Sequence, residues 1–270
     1  CIISTEVFRA YSSNVLITFI IPLNKRRSMR GVTDKLIVLS SLKYGDTSLI
    51  VKAFTHQFGV LSFMLKGVRK RRGGVVALYQ PASVLEANIV YREGKSLHGI
   101  NQPKHVFVAH KTTAELQRMA KALFISEYLQ NILIQESPNQ ELFTLSVDWL
   151  SALEHDDSNE YHHLRFLFAS LQPLGIRPRI PMRPEQIQFD LREGRFSHVA
   201  EHRDVLHEEE AALFLEGLEG RFDHLSSLQR WQLLRHLLDY VRIHLPWMKS
   251  IKTLDVMKQV FTETSSTKNV

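Results

Sequence analysis

Residues 33–68 read TDKLIVLSSLKYGDTSLIVKAFTHQFGVLSFMLKGV, and the organisation of the chain follows from them. Three runs rich in Leu, Ile, Val and Phe, at Thr33–Lys43, Thr47–Thr55 and Val60–Val68, are separated by Tyr44-Gly45-Asp46 and Gln57-Phe58-Gly59. Apolar runs bounded by turn residues are strands with tight connections. Downstream, Leu85, Ala87, Ile89 and Tyr91 alternate with Glu86, Asn88 and Val90, the period of two of a half-buried strand. Arg92-Glu93-Gly94-Lys95 marks a turn, and Ser96–Val108 returns as a fifth strand. The longest break lies at Arg69–Gln80. Five strands in about 80 residues match the oligonucleotide-binding (OB) barrel in size and strand count.

After Val108 the period becomes helical. Thr112-Thr113-Ala114-Glu115 reads as a capping box, with Leu116, Met119, Leu123, Tyr128 and Leu129 following at helical spacing. Ser137-Pro138-Asn139-Gln140 opens a second helix, with proline expected at its first position. A third covers about Asn159 to Leu171 and stops at Pro173 and Gly175; Glu208–Leu218 is a short fourth. Ser226-Ser227-Leu228-Gln229 caps a long helix ended by Pro246, and a last one covers Ile251–Phe261. Within the proline-rich stretch that precedes Glu208, Gln188–Ser197 alternates around a turn and reads as a small hairpin inserted into the helical part.

The expected architecture is therefore α+β: a five-stranded OB-fold barrel at 29–110, then an all-α region at 111–262 interrupted by a finger-like insertion at about 173–206. Residues 1–28 are expected to be a poorly ordered leader, translated from upstream of a start at Met29, and 263–270 a disordered tail. The apolar run Val15 to Leu23 is too short to cross a bilayer, which needs about 20 residues, so no membrane partner is expected.

The single cysteine, Cys1, excludes a disulfide framework and any zinc site built from several thiolates; a reducing, cytoplasmic setting follows. The net charge of +6 is unevenly spread. Residues 29–111 carry 13 Lys and Arg against 4 Asp and Glu, whereas 112–270 carry 17 against 23. A basic first half points to an anionic partner.

Its densest cluster is Lys66, Arg69, Lys70, Arg71 and Arg72, flanked by Gly67, Gly73 and Gly74. Cations leaving a strand into a flexible loop neutralise phosphates and release counterions without reading bases. Lys35, Lys43, Lys52, Arg92, Lys95 and Lys104 extend the candidate surface, and Tyr44 and Phe58, at turns, are the candidates for stacking on bases. A second basic area, Arg230, Arg235, Arg242, Lys249, Lys252 and Lys258, is a candidate for a second DNA segment or an acidic peptide tail. Glu201–Asp223, with eight acidic and two basic residues, is expected to face away from DNA or to dock a basic protein.

Two stretches resemble catalytic patterns. His198-Val199-Ala200-Glu201-His202 matches the H-x-x-E-H of a class of zinc hydrolases, but it follows a hairpin without a helix start. Gly94-Lys95-Ser96 resembles the end of a phosphate-binding loop, yet Ile89 stands where its first glycine belongs. No catalytic residue and no cofactor is assigned, and a non-catalytic binding protein is expected. A metal-dependent hydrolase and an RNA-binding barrel are the alternatives.

The order of parts resembles the RecO family of recombination mediators. The resemblance is carried by Met29-Arg30-Gly31, Val38-Leu39, Tyr44-Gly45-Asp46-Thr47-Ser48-Leu49-Ile50-Val51 and Phe54-Thr55-His56-Gln57-Phe58-Gly59. It continues in Lys66-Gly67-Val68-Arg69, Leu174-Gly175, Phe189-Asp190 and Lys249-Ser250. It implies binding of single- and double-stranded DNA, annealing of complementary strands, and help in loading a recombinase onto DNA coated with single-strand-binding protein. The implied partners are RecR and the C-terminal tail of single-strand-binding protein, in the bacterial cytoplasm at the nucleoid. Many members of the family carry four zinc-binding cysteines in the finger; this chain has none between Pro173 and His207, so a finger without zinc is expected.

Overall fold

The computed structural model describes residues 31–70, 75–155, 161–180, 188–197 and 202–267. The expected leader and tail therefore lie outside the described residues, apart from the stretch of 263–267 that closes the last helix. Five strands, β1 (Val32–Tyr44), β2 (Ser48–Thr55), β3 (Gly59–Leu65), β4 (Val84–Val90) and β5 (Gly99–His105), form an antiparallel sheet in the order β3-β2-β1-β4-β5. Its two ends curl toward each other. A parallel bridge joins Phe63 to His98, where the His98 N–H donates to the Ser62 carbonyl at 2.9 Å and the Met64 N–H to the His98 carbonyl at 3.3 Å. This is the partly open, OB-like barrel expected of five short strands. Two 3-10 turns, Val68–Lys70 and Val75–Tyr79, fill the break between β3 and β4.

The barrel interior holds Leu36, Val38, Leu49, Val51, Ala53, Leu61, Phe63, Leu85 and Ile89. Ile37, Leu39, Phe54, Val60 and Val84 point the other way and join the core of the helical part. A two-sided burial of this kind demands an unbroken apolar run, which Leu36-Ile37-Val38-Leu39 supplies. A bulge then interrupts β1: Val38 pairs with Ala53, but Ser40 pairs with Lys52. Leu39 is the extra residue, and the faces exchange beyond it. At the turn between β2 and β3, Gly59 has φ +71°, and a Cβ there would come within 2.5 Å of the Ser137 backbone.

Seven helices complete the described residues: α1 (His110–Ala114), α2 (Leu116–Ile132), α3 (Gln140–His155), α4 (His162–Ser170), α5 (Glu208–Leu218), α6 (Ser227–His244) and α7 (Thr253–Thr267). The Ser226/Gln229 capping box forms as expected. Two other helix starts differ. Thr112 lies inside α1, where its amide and hydroxyl donate to Glu154 of α3 at 2.8 and 2.9 Å; α2 begins at Leu116 without a side-chain cap. A carboxylate from another helix, favoured by the positive end of the dipole, has replaced the local box. Leu116 and Met119 are correspondingly exposed. Before α3 the cap is Asn139, whose Oδ1 accepts from the Leu142 N–H at 2.9 Å, so Pro138 stands before the cap and not at the first helical position.

The expected hairpin is present as β6 (Gln188–Asp190) and β7 (Arg195–Ser197), with β8 (Val205–Leu206) on the other side of β6. Phe189 is fully buried and stacks on Phe214 of α5 with ring centroids 4.5 Å apart. Asp190 accepts from the amides of Arg192 and Glu193 at 2.9 and 3.0 Å and faces His202 at 3.2 Å. Burial alone would raise its pKa, but the Glu193 and Arg192 amides, with His202, hold it below the usual carboxylate range. The finger is thus fixed by an aromatic anchor and a carboxylate-centred turn.

Truncating the anchor, Phe189→Ala, is expected to destabilise the protein by about 3–5 kcal/mol in denaturant titration. Stability should also fall in acid. Burial, aided by Lys121, Arg230 and His162, pushes the His163 pKa down to about 3 from 6.5. Because the native ring resists a proton that the unfolded chain accepts, its contribution is complete above pH 6.5 and is lost as the pH falls from there toward 3. The slope is at most about 1.4 kcal/mol per pH unit, and His163→Gln should flatten it in melting curves taken across that range.

Candidate nucleic-acid interface

Beyond the Leu39 bulge, the outward positions of β1 are Ser40, Leu42 and Tyr44, paired with Lys52, Ile50 and Ser48 of β2. On β3, Met64 and Ser62 continue the rows of Ile50 and Lys52. Leu42 and Tyr44 are 66% and 55% exposed, so an apolar row, Leu42-Ile50-Met64, runs across the open outer face, with Tyr44 in the next row opposite Ser48. The β1–β2 turn is tight because Gly45 adopts φ +56°. Arg69 stitches the segment after β3 to this turn: its guanidinium donates to the Gly45 carbonyl at 2.9 Å and its amide to the Thr47 carbonyl at 3.0 Å.

That stitch gathers part of the expected cation set. Lys43 shares a cross-strand row with Leu49 and Leu65, Lys66 follows immediately, and Arg69 and Lys70 sit beside the turn; all four cations are exposed. Arg71 and Arg72 lie outside the described residues. Lys35 is not part of this group. It lies eight residues back along β1, about 26 Å away at strand rise. There it stands opposite Glu86, which binds Lys104 at 2.6 Å. The hydrogen bond and charge of Lys104, with Lys35, hold Glu86 below its ordinary pKa. Arg92 and Lys95 occupy the β4–β5 turn, near the start of β1 and so at the opposite end of the barrel.

Phe58 does not serve as an open platform. Its ring stacks on Tyr91 at 5.3 Å, and Tyr91 stacks in turn on His98 at 4.7 Å while donating its hydroxyl to Glu136. His98, almost fully buried at the barrel seam, has its pKa lowered by burial. Of the two turn aromatics only Tyr44 remains mostly exposed.

The second basic area is dispersed. Arg242 pairs with Asp239 at 2.9 Å, Arg230 lies over the Tyr161 ring at 4.7 Å, and Arg235 and Lys258 are exposed on α6 and α7. Lys252 begins the turn that Glu127 of α2 caps: its amide and that of Thr253 donate to the carboxylate at 3.0 and 2.8 Å. Lys249 is exposed, and its charge acts on a barrel lysine. Burial lowers the Lys52 pKa, and the charge of the Lys249 ammonium lowers it further. The sequence separation of nearly two hundred residues hid this pair. Part of the acidic stretch is neutralised internally, with Asp204 on Arg192 and Glu219 on Arg221, while Glu216 lies 3.0 Å from the His224 ring.

His198 and Glu201 of the H-x-x-E-H match lie outside the described residues. His202 has both ring nitrogens engaged, one with Asp190 and the other accepting from the Asp204 N–H at 3.2 Å. Among the described residues no group of three or more His, Cys, Asp or Glu is arranged to hold a metal. With no cysteine in the finger, these residues do not fit the zinc of cysteine-bearing fingers. No described helix is long and apolar enough to cross a membrane.

A five-stranded OB-like barrel with a cationic end, built onto a helical region that carries a small β finger, defines the class of protein to which this fold belongs. Comparison with known proteins narrows the class. The family model described as Recombination protein O N terminal matches residues 29–107, and Recombination protein O C terminal matches 114–181. DNA repair protein RecO of Flavobacterium psychrophilum is 31% identical over 240 residues, covering 86% of this chain and 99% of that protein. DNA repair protein RecO of Phocaeicola vulgatus is 32% identical over 236 residues, covering 84% and 97%. The chain belongs to the RecO family of DNA repair and recombination proteins.

If His202 is a structural partner of Asp190 and not a ligand, His202→Ala should lower thermal stability and leave the metal content of the purified protein unchanged in elemental analysis. Stoichiometric zinc lost in that variant would reverse the assignment.

Proposed function

We propose that this protein is a non-catalytic recombination mediator. It binds single- and double-stranded DNA, anneals complementary strands and helps load a recombinase onto DNA coated with single-strand-binding protein. The observation that carries the reading is the set of exposed cations at the β1–β2 turn: Lys43 precedes the exposed Tyr44 on β1, and the Arg69–Gly45 bond brings the segment of Lys66, Arg69 and Lys70 to that turn. Cations on a barrel rim hold phosphates without selecting bases, and an aromatic beside them stacks on an unpaired base. Annealing requires two polyanions to be held with their repulsion screened, and this arrangement does so with no bond made or broken. Arg71 and Arg72 continue the same run of sequence and are assigned to the same role.

Lys35, Arg92 and Lys95 are assigned to the far end of a DNA path that the β1–β2 and β4–β5 turns flank, as OB barrels bind oligonucleotides. Arg235, Arg242, Lys249 and Lys252 form a second surface for DNA or for the C-terminal tail of single-strand-binding protein. RecR is the expected protein partner, on the strength of family membership, and the protein works in the bacterial cytoplasm at the nucleoid. DNA is preferred to RNA because the relatives are DNA repair proteins.

Replacing Lys43, Lys66 and Lys70 together with alanine should weaken binding to single-stranded oligonucleotides to a similar degree whatever their sequence. It should also reduce the slope of log affinity against log salt by about 2, at roughly 0.7 per phosphate contact. Unchanged affinity and slope in a mobility-shift titration would sink the reading. Annealing of complementary strands coated with single-strand-binding protein should be faster with the wild-type chain than without it.

A further inference from the structure

The turn between α6 and α7 is anchored from within. Leu245, Met248 and Ile251 are buried, and the Met248 N–H donates to the Leu245 carbonyl at 2.9 Å. Trp247, in the middle of this rigid turn, is nevertheless 48% exposed. Its indole N–H, the one polar group of the side chain, donates to the Ile132 carbonyl at the end of α2 at 3.0 Å. The ring is therefore fixed in place with its hydrogen-bonding capacity consumed, and what remains for a partner is π surface.

The neighbourhood completes the site. From Ile132 the chain runs through Ile134, 55% exposed, to Gln135 and Glu136, which bridge and hydrogen-bond to Val60 of β3. The turn thus adjoins the outer face of the barrel. Two residues after Trp247 stands the exposed Lys249, whose charge acts on Lys52 of β2, and neither ammonium has an ion-pair partner among the described residues. Two unpaired cations whose charges act on one another, one of them two residues from an exposed aromatic, are complementary to a polyanion with flat, unpaired bases. On β2, Lys52 lies four residues from Ser48 at the cationic turn, about 13 Å at strand rise.

We propose that Trp247 is a base-stacking platform for single-stranded DNA and that Lys52 and Lys249 hold the adjoining phosphate, so that a strand crossing the barrel face continues, unpaired, onto the helical region. The proposal rests on the DNA-binding reading and adds a strand preference to it. A duplex keeps its base faces inside its own stack and offers none to Trp247, so this part of the path selects single strands.

Trp149 is buried and Trp231 partly so, which makes Trp247 the most exposed of the three indoles. Titrating the full chain with an oligo-dT strand should quench its tryptophan fluorescence, and a blunt duplex should not. Trp247→Leu should abolish the quench and weaken oligo-dT binding roughly tenfold, with duplex affinity within about twofold of wild type at that scale. Trp247→Phe should restore part of the lost affinity. Lys249→Gln, an exposed change that leaves the fold intact, should weaken oligo-dT binding and reduce its salt slope. If Trp247→Leu and Lys249→Gln bind oligo-dT as wild type does, the inference is overturned while DNA binding stands. If the wild-type chain binds no DNA, both fall. A quench by an acidic, apolar peptide but not by oligo-dT would assign the surface to a protein partner and overturn the proposal.

Discussion

The structure depends on one strand having no solvent face in its first half. Leu36 and Val38 point into the barrel while Ile37 and Leu39 point into the helical core, and none of the four is more than 3% exposed. Burying four such side chains contributes on the order of 6–12 kcal/mol at about 1.5–3 each, shared between two cores that meet at one backbone. Barrel and helices are therefore parts of one compact unit from Gly31 onward. The close approach of Gly59 to Ser137 and the bridge from Val60 to Gln135 tighten the same junction. A cation on the barrel face and a residue on a helical turn are consequently held at fixed separation, which a shared binding surface requires.

The helical region uses carboxylates where local capping or metal ligation would have served. Glu154 and Glu127 each close the start of a helix distant in sequence, through two backbone amides and a threonine hydroxyl. Asp190 organises the finger turn in the same manner. For all three, burial opposes the charge and the donated hydrogen bonds outweigh it, so their pKa values fall. The Glu154 and Glu127 contacts each join two helices, so the same bonds that satisfy orphan amides also set how those helices pack.

Much of the candidate surface was visible as composition. The run from Lys66 to Arg72 stands out by charge density alone, and Tyr44 by its place in a turn. Geometry was not visible. Lys35 and Lys43 lie on one strand yet at opposite ends of it, and Phe58, a turn aromatic like Tyr44, is stacked on Tyr91. Trp247, a lone tryptophan after a proline, carries no sequence pattern; only its exposure and its bond to Ile132 set it apart.

What the sequence determined by itself was local: the number and order of strands, most helix spans, the Ser226 cap and the position of the finger. Hydrophobic period and turn chemistry act over a few residues and can be read there. The tertiary structure decided which way side chains face and which distant residues meet. Extended without interruption, the alternation of Leu36 and Val38 would put Leu42 and Tyr44 inside the barrel; one bulged residue, Leu39, turns them outward. A bulge is a matter of register between two strands, and the influence of the Lys249 charge on Lys52 is a matter of packing between two cores. Neither leaves a trace in the residues on either side, because the energy that selects them comes from partners elsewhere in the chain.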